Sequence, residues 1–236
     1  MFSPKLAEIY EEMYRGRGKD WDDEAQLVID HIRRRLPDAD SLLDIACGTG
    51  AHLKEFDRGF SHAEGVDVEE AMLNHARQRV PGVTFTQGDM RDFDCARTYD
   101  AVTCMFCSIA YLETVEDLTA AVWNMARHLE PGGVLVIEPW WFPEQFIDGY
   151  LRSDSCEGEG RSILRMSHTV RKGRASHMEV RFLVGDSGGI SEFTEIDILT
   201  LFAKEEYERA FAEAGCPAEY FPGAPTGRGL FVGVRS

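Results

Sequence analysis

The chain of 236 residues has the length of one ordinary domain, or of one domain that carries a large insertion. Its 44% hydrophobic residues include 14 Phe, 7 Tyr and 4 Trp, which is enough apolar material to build a core. The net charge of −16 argues against a general affinity for DNA, RNA or anionic lipid, because phosphate backbones recruit Lys and Arg. An anionic ligand must therefore be held by a few local arginines.

The N-terminus and the cysteines bear on location and on metal binding. The first 14 residues lack the basic and apolar regions of a signal peptide, and no stretch approaches the ~18 apolar residues of a membrane span. Of six scattered cysteines, Cys104 and Cys107 form the one close pair, without the further ligands that zinc requires. We therefore expect a cytoplasmic protein without a metal ion, a membrane partner or a nucleic acid partner.

Strands and helices alternate through the first 138 residues. Two amphipathic helices are predicted over residues 6–13 and 25–32, the second ending before Pro37. Repeated βα units then predict a parallel sheet that is covered on both faces. The predicted strands are 42–46, 63–68, 83–87, 99–106 and 134–137, with helices near 51–58, 72–80 and 118–129.

The alternation of strands and helices ends at Pro139. Three strands are then predicted over 161–170, 177–185 and 192–202, with no helix between them. Glycine-bearing turns separate these strands, so they should pair antiparallel. A helix near 207–214 and two short strands near 218–221 and 229–234 complete the chain. We therefore predict an α/β, Rossmann-like core with N-terminal helices and an antiparallel β insertion. The expected segments are 1–139 for the helices and cofactor core, 140–203 for a substrate wall, and 204–236 for a helix and strands that complete the core.

The sharpest motif is the run from Asp44 to Gly50, in which Gly48 and Gly50 follow a buried strand and let the backbone approach a ligand. Asp67 ends the next strand, where an acid accepts the ribose hydroxyls of a nucleoside. Asp89 follows the third strand and is suited to an adenine amino group, while Met90 packs on the ring. The dinucleotide fingerprint G-x-G-x-x-G fails because Leu53 occupies the position of its third glycine.

Together with residues 65–68, 88–93 and 129–133, this motif resembles the class I S-adenosylmethionine-dependent methyltransferases over roughly residues 40–138. The resemblance implies that S-adenosylmethionine is the cofactor. It places Asp67 on the ribose and Asp89 and Met90 on the adenine. The remaining positions that it implies for the cofactor are Tyr10, Tyr14, Arg17, Ala46, Gly48, Gly50 and Met105. One departure is Ala46, where many members carry Gly.

Residues 16–20, 138–143 and 225–231 carry a narrower resemblance, to N,N-dimethyltransferases that act on TDP-linked amino deoxysugars in antibiotic biosynthesis. That resemblance implies transfer of methyl groups to the sugar nitrogen. Methyl transfer to another small-molecule oxygen or amine, and a non-catalytic protein that binds S-adenosylmethionine, stay open as alternatives. A homodimer is one option for the assembly.

Tyr111 is the catalytic candidate, since family members place Tyr or His beside the amine. It either orients the nitrogen lone pair, accepts a proton, or is an aromatic residue that packs under the insertion. Phe2 occupies a place where some relatives have a Tyr that touches the substrate.

A nucleotide diphosphate needs cations and a flat surface. Strand alternation puts Arg165, Ser167 and Thr169 on one face, where they are suited to phosphate oxygens, and leaves His168 with the apolar residues as a core histidine. Arg228 lies between two glycines and is the second phosphate candidate. Trp140 and Trp141 offer a surface for stacking on thymine, or else they belong to the core.

Overall fold

The computed structural model describes residues 4–158 and 160–236, which form two sheets with helices packed against them. The helices are α1 (Pro4–Gly16), α2 (Trp21–Arg33), α3 (Leu53–Gly59), α4 (Glu70–Arg79), a 3-10 helix (Ser108–Tyr111), α5 (Val115–Arg127) and α6 (Lys204–Glu213). The strands are β1 (Ser41–Ile45), β2 (His62–Asp67), β3 (Thr84–Gln87), β4 (Tyr99–Cys104), β5 (Leu129–Ile137), β6 (Tyr150–Gly158), β7 (Arg161–Lys172), β8 (Ala175–Asp186), β9 (Gly189–Thr200), β10 (Ala218–Phe221) and β11 (Leu230–Val234).

The larger sheet has seven strands in the order β10-β11-β5-β4-β1-β2-β3. Strands β5, β4, β1, β2 and β3 run parallel, whereas at one edge β11 pairs antiparallel with β5 and β10 pairs antiparallel with β11. The order reverses direction between β1 and β4, which is the place where open α/β sheets bind ligands. The Rossmann-like core expected from the sequence is therefore confirmed.

The parallel strands are buried on both faces because helices cover each side. On one side, α5 and α6 enclose an apolar cluster that includes Val122, Met125 and Phe211. On the other side, α2 and α3 enclose a second cluster around Ile32 and Phe56. Burial on both faces explains why β1 and β4 are buried along nearly their whole length rather than at every second residue.

The smaller sheet is an antiparallel meander, β6-β7-β8-β9. Helix α1 packs on one of its faces, where Ile9 and Met13 join Ile163, Val180 and Phe182 in a third apolar cluster. The antiparallel insertion expected from the sequence is therefore present. Its first strand, β6, was not predicted, since residues 150–158 are polar and exposed along most of their length.

The alternation along β7 puts Arg165, Ser167 and Thr169 on one face, as predicted, but this polar face is the buried one. The expectation that His168 is a core residue is wrong, because His168 is exposed together with Leu164 and Met166. A period of two residues defines which side chains share a face, and it does not define which face is covered.

Within the described residues, the structure contains no helix that is both long enough and apolar enough to span a membrane.

Candidate active site

A cavity of about 650 Å³ opens at the carboxyl ends of the parallel strands, between the larger sheet, α1 and the smaller sheet. A second cavity of about 300 Å³ continues it toward β3. Ala46, Asp67, Met90 and Tyr111 line both cavities. The residues that the sequence motifs single out therefore meet around one continuous space.

The loop after β1 forms one wall of this space. Ala46 and Gly48 adopt positive φ angles of 54° and 55°, and the space beside Gly48 is open, so a ligand can approach its backbone. A left-handed conformation costs a non-glycine residue roughly 1–2 kcal/mol, so Ala46 carries strain where family members often have Gly. Gly50 (φ 73°) does not line the cavity; a Cβ there would lie 3.2 Å from the Cβ of Ala76, so Gly50 permits close packing of α4.

Asp67, the last residue of β2, is held by the backbone around it. Its Oδ2 accepts the Gly48 N–H at 2.7 Å and its Oδ1 accepts the Glu69 N–H at 2.8 Å. Burial raises the pKa of the Asp67 carboxyl, while these two hydrogen bonds partly oppose the shift. The side chain is thus fixed in place at the position expected for a ribose partner.

Asp89 and Met90 line the smaller cavity, at the far side of Asp67. Arg91 donates to Asp89 from its Nη2 at 2.6 Å and reaches Asp117 at 3.2 Å. The hydrogen bonds from Arg91 lower the pKa of Asp89, so this carboxylate is ionised at neutral pH. An ionised acceptor beside Met90 is suited to an adenine amino group.

The chain after β4 supplies the floor of the larger cavity. Met105 lines it, and the next two residues, Phe106 and Cys107, both have positive φ angles of 54° and 63°. Glu138 at the end of β5 accepts the Phe106 N–H at 2.8 Å, which helps to hold this unusual backbone. Strained residues therefore follow two neighbouring strands at the same edge of the sheet, as they often do at functional sites.

A buried charged group of Lys19, Glu24 and His52, which the sequence did not predict, lines the larger cavity. Glu24 accepts hydrogen bonds from the Lys19 ammonium and, at 2.9 Å, from His52 Nε2. Burial opposes ionisation, but the hydrogen bond from His52 and the charge of Lys19 hold the pKa of Glu24 below its ordinary value. The Lys19 Nζ also lies 3.7 Å from the centre of the Phe106 ring. All four residues line the cavity.

Helix α1 closes the cavity from above with Tyr10 and Tyr14. The ring of Tyr14 packs edge-on against Phe106 at 5.0 Å, and its pKa is raised by burial. Glu11 connects the helix to the loop after β1, because it accepts the Thr49 hydroxyl at 3.0 Å and forms an ion pair with Arg79. The position of α1 is therefore coupled to the loop that carries Gly48.

Tyr111 ends the 3-10 helix and is 41% exposed, with its ring on the cavity. Its hydroxyl donates to Asp197 Oδ1 at 2.9 Å. Burial of the hydroxyl and the nearby Asp197 carboxylate raise the pKa of Tyr111 well above its ordinary value. The phenol is therefore neutral at physiological pH, which favours positioning over proton abstraction among the roles considered for Tyr111.

An arginine group lies on the wall that the smaller sheet provides. Asp154 Oδ2 is 2.9 Å from Arg17 Nε and 3.4 Å from Arg165 Nη1, and Asp154 Oδ1 accepts from Arg152 Nε at 2.9 Å. All three arginines line the cavity. Arg165 also donates to Ser167 at 2.9 Å, while its buried Nε has no hydrogen-bond partner among the described residues. Three guanidinium groups around one carboxylate give this group of four residues a net charge of +2.

Arg228 lines the opposite wall and is matched by an acid. It donates to Glu138 at 2.9 Å, and Glu138 is fully buried and also accepts the Thr226 hydroxyl. The guanidinium lies 5.0 Å from the ring of Trp140, whose Nε1 donates to Ser176 at 3.0 Å. Arg228 thus connects β5, the loop near 225–228 and Trp140.

Most of the residues expected at the site meet at the two cavities. Gly50, Trp141, Ser167 and Thr169 do not line them, although Ser167 accepts a hydrogen bond from Arg165, which does. Phe2 lies outside the described residues. Other residues of the lining were not predicted to act there, and the charged or titratable ones among them include Lys19, Glu24, His52, Arg152 and Asp197. Lys19 stands in the predicted 16–20 stretch, whereas Arg152 and Asp197 lie within strands and belong to no motif.

In the seven-stranded sheet, the strand order reverses beside a glycine loop. One acid is fixed at the end of β2, and a second acid follows β3. Together these features define a nucleoside site of the class I methyltransferase type. The cavities are large enough and carry the required acceptors, so the residues fit S-adenosylmethionine.

Comparison with known proteins agrees with this class. A family model described as "Methyltransferase domain" matches residues 42–133. The dTDP-3-amino-3,4,6-trideoxy-alpha-D-glucopyranose N,N-dimethyltransferase of Streptomyces venezuelae is 51% identical, over 99% of each chain. The dTDP-4-amino-2,3,4,6-tetradeoxy-D-glucose N,N-dimethyltransferase of Saccharopolyspora spinosa is 50% identical, over 100% of this chain and 95% of the relative.

Solved structures give the same result. DesVI of Streptomyces venezuelae superposes with a TM-score of 0.97, at 50% identity and over 100% of both chains. An amino pentose methyltransferase from Micromonospora echinaspora, solved with S-adenosylmethionine bound and involved in calicheamicin biosynthesis, superposes with a TM-score of 0.92, at 53% identity and over 100% of this chain and 98% of that one. The chain therefore belongs to the amino-sugar methyltransferase family, and S-adenosylmethionine is its cofactor.

Proposed function

We propose that this enzyme transfers methyl groups from S-adenosylmethionine to the amino nitrogen of a TDP-linked amino deoxysugar, and that it does so twice to give the dimethylamine. The curated relatives at 51% and 50% identity are named as N,N-dimethyltransferases of such sugars. The ring position of the amine differs between the two names, so the relatives support the substrate class and leave the individual sugar open.

The observation that carries this proposal is the arginine group of Arg17, Arg152 and Arg165 around Asp154, in which we assign Arg17 to the substrate rather than to the cofactor expected from the resemblance. Guanidinium groups bind phosphate oxygens through charge-assisted hydrogen bonds, often in pairs. The unpartnered Nε of the buried Arg165 provides a donor for such an oxygen. A free amine would gain nothing from two net positive charges, whereas a sugar nucleotide carries a diphosphate that matches them.

Arg228 has a different part in this proposal. Its charge is already matched by Glu138, so we assign it mainly to holding the wall that carries Trp140 and Thr226. Trp140 lines the cavity and remains the candidate for stacking on thymine. Trp141 is not part of the cavity lining, and its proposed role is to support the loop at Gly227. A Cβ added at Gly227 would lie 3.7 Å from the Trp141 ring.

For the cofactor, we assign the ribose to Asp67, the adenine to Asp89 and Met90, and the approach of the methionine portion to Ala46 and Gly48. Lys19 and Glu24 offer one cation and one anion at the near end of the cavity, which suits the carboxylate and ammonium groups of that portion. Tyr10 and Tyr14 exclude water from above. The segments 1–139, 140–203 and 204–236 stay our division of the chain into cofactor core, substrate wall and completing elements.

The bound cofactor supplies an electrophilic methyl group on a sulfonium, so the protein has to align an unprotonated amine with it. Holding two reactants in line converts a bimolecular step into an effectively unimolecular one. The neutral Tyr111 is fixed by Asp197 on the cavity wall and is placed to orient the amine. Positioning by the arginine group at one end and Tyr111 at the other is the mechanism that we propose.

The experiment is to incubate the enzyme with labelled S-adenosylmethionine and a small set of TDP-amino sugars, each supplied with and without its TDP group, and to detect products by mass spectrometry. We expect sequential mass gains of one and two methyl groups on a nucleotide-linked sugar. Comparable kcat/KM with and without TDP would remove the nucleotide-sugar assignment. Methylation of a hydroxyl sugar, or binding without turnover on every acceptor, would favour one of the alternatives.

We further propose a homodimer that forms through the uncovered face of the smaller sheet. Opposite to the face under α1, this sheet exposes a set of aliphatic side chains, which are Leu151, Leu164, Met166, Leu183, Ile190, Ile196 and Ile198. Its three longer strands have 12 residues each and β6 has nine, so the face measures roughly 700 Å², close to the ~800 Å² per partner of a stable interface. A second copy presents the same face, in which Glu179, Arg181 and Glu192 lie among the aliphatic residues, and a two-fold axis makes the contact self-complementary.

Sedimentation equilibrium on wild type and Leu164→Glu tests this assembly. We expect a dimer for wild type and a monomer for the variant, which should still bind S-adenosylmethionine. Ile147→Glu is the matched control, because Ile147 is 65% exposed outside the smaller sheet. A monomeric wild type, or a dimer that persists in Leu164→Glu, contradicts the proposed interface.

A further inference from the structure

The acids that line the larger cavity differ in what they already bind. Among its described lining residues, these acids are Glu24, Asp44, Asp67, Glu69 and Asp197. Glu24 is engaged by Lys19 and His52, Asp44 accepts the Thr103 hydroxyl at 2.7 Å, and Asp67 is held by two backbone N–H groups. These three, and Glu69 beside Asp67, all lie on the cofactor side, at the edge of the parallel sheet.

Asp197 differs from them because it lies within β9, three residues before the end of the strand, and on the same wall as Arg165. Met178 is its partner across β8, and the 3-10 helix packs against β9 so that Tyr111 donates to its Oδ1 at 2.9 Å. Asp197 is thus the acid of the lining that lies on the substrate side, and Tyr111 is the residue that fixes its orientation.

We propose that the Asp197 carboxylate receives the proton of the substrate ammonium and that Tyr111 is the positioning residue that aims it, an inference that rests on the proposed function. Below its own pKa an amino sugar arrives as R–NH₃⁺. The N–H bond breaks, an O–H bond forms on Asp197, and the lone pair left on nitrogen attacks the methyl carbon while the C–S electron pair goes to sulfur. The proton then leaves Asp197 for water, and one proton is released for each methyl group transferred.

The charges around Asp197 suit this role. Burial raises its pKa, and Glu195 on the same strand acts in the same direction, whereas the Tyr111 hydrogen bond and the charge of Arg165 act against it. Tyr10 and Tyr14 face it from α1 and are neutral, since burial raises the pKa of both. A carboxylate with a raised pKa is closer to an amine in proton affinity, which makes the transfer easier. Its negative charge also offsets repulsion between the ammonium and the sulfonium of the cofactor.

The test is the pH dependence of kcat and kcat/KM for Asp197→Asn with a TDP-amino sugar that wild type methylates. Without the acceptor, only the free amine reacts, so we expect a loss of about 10²-fold at pH 6.5 that shrinks to within about fivefold near pH 9. Tyr111→Phe should lose less at every pH, because the carboxylate remains. Asp186→Asn is the matched control, because it makes the same substitution at an exposed acid of β8 that does not line the cavity.

Binding measurements separate this inference from a structural effect. Asp197→Asn should bind S-adenosylmethionine like wild type, and it should lose affinity for the amino sugar nucleotide but not for the analogue with a hydroxyl in place of the amine. Asp197→Ser takes its place if the Asn variant does not fold. A loss by the same factor at every pH, or an unchanged profile, overturns the role of Asp197. Absence of turnover by wild type on every amino sugar would instead remove the proposed function.

Discussion

The two sheets place their functional residues differently. In the parallel sheet they stand where strands end, as Ala46 does after β1, Asp67 at the end of β2 and Met105 after β4. In the antiparallel sheet they stand within strands, as Arg152, Arg165 and Asp197 do. Helices cover both faces of the first sheet, so its free surface is its edge, whereas α1 covers only part of the second sheet and leaves a polar patch facing the cavity.

This difference assigns one ligand to each sheet. Strand ends and glycine turns offer backbone N–H groups and a single fixed acid, which suit a nucleoside. Strand interiors offer rows of side chains with matched spacing, which suit a charged diphosphate and a sugar amine. If the division is correct, substitutions at one sheet should weaken one ligand and leave the other unchanged.

The largest effect is expected at the arginine group. Arg165→Ala removes a buried cation that faces the cavity, and the lost contact is worth about 1.5–3 kcal/mol of binding free energy. KM for the sugar nucleotide should therefore rise roughly 10–150-fold, with a smaller change in kcat. Affinity for S-adenosylmethionine should not change. Steady-state kinetics with calorimetry measure both, and Arg171→Ala, an exposed arginine on the same strand, is the control. A variant that loses both ligands equally would contradict the division between the sheets.

The reciprocal change is Asp67→Ala, which removes the acceptor for the ribose hydroxyls. We expect the binding free energy of S-adenosylmethionine to weaken by about 1–3 kcal/mol, which raises its Kd roughly 5–150-fold. KM for the sugar nucleotide at saturating cofactor should stay near wild type. Calorimetry is the measurement, and Asp57→Ala, an exposed acid on α3, is the control. Equal Kd values for Asp67→Ala and wild type would remove Asp67 from the cofactor site.

The same contrast explains what the sequence could predict. Strand ends of the larger sheet are marked by glycines and by acids at fixed positions, so its Rossmann-like class and the residues Asp67, Asp89 and Met90 followed from the motifs. Their proximity in two connected cavities agrees with that prediction. Spacing alone could not find the Lys19–Glu24–His52 group, because its members come from three separate segments.

In the smaller sheet, alternation identified the residues that share a face but not the face that is buried. Arg165 and Ser167 were grouped correctly, whereas His168 was assigned to a core that does not cover it. Asp197 alternates with Ile196 and Ile198, and the two isoleucines are the exposed members. Such an inverted pattern follows from tertiary context, namely the cavity under one face and the uncovered aliphatic set on the other, and local sequence does not encode it.

A smaller effect is expected at Lys19, which lines the larger cavity. Lys19→Met removes the cation that we assign to the methionine carboxylate, so the Kd for S-adenosylmethionine should rise about tenfold. The Kd for methylthioadenosine, which lacks the amino-acid portion, should stay unchanged. Lys172→Met, at an exposed strand end, is the control. Equal losses for both ligands would show that Lys19 only supports the fold around Glu24.

The smallest effect concerns stability at the cofactor edge, and it depends on pH. Asp44 is 2% exposed, and burial raises its pKa from 3.8 to about 6. Between these two values the folded state binds more protons than the unfolded chain, so the free energy of unfolding falls as pH rises, and the cost is complete above about pH 6. A shift of this size corresponds to at most about 3 kcal/mol.

Asp44→Asn removes this cost and keeps an oxygen for the Thr103 hydroxyl, but it leaves a buried NH₂ group that offsets part of the gain. We therefore expect the variant to be stabilised by about 1 kcal/mol above pH 7, a rise in Tm of roughly 2–4 °C, with no gain near pH 4. Thermal melts of both proteins from pH 4 to 8 measure this difference. Because Asp44 lines the cavity, the rise in Tm on adding the cofactor should also be smaller in the variant. A difference in Tm that is constant across this range would mean that Asp44 is not a buried charge at neutral pH. A gain that grows with pH would show that the parallel sheet keeps a destabilising carboxylate at its ligand-binding edge, where function rather than stability accounts for it.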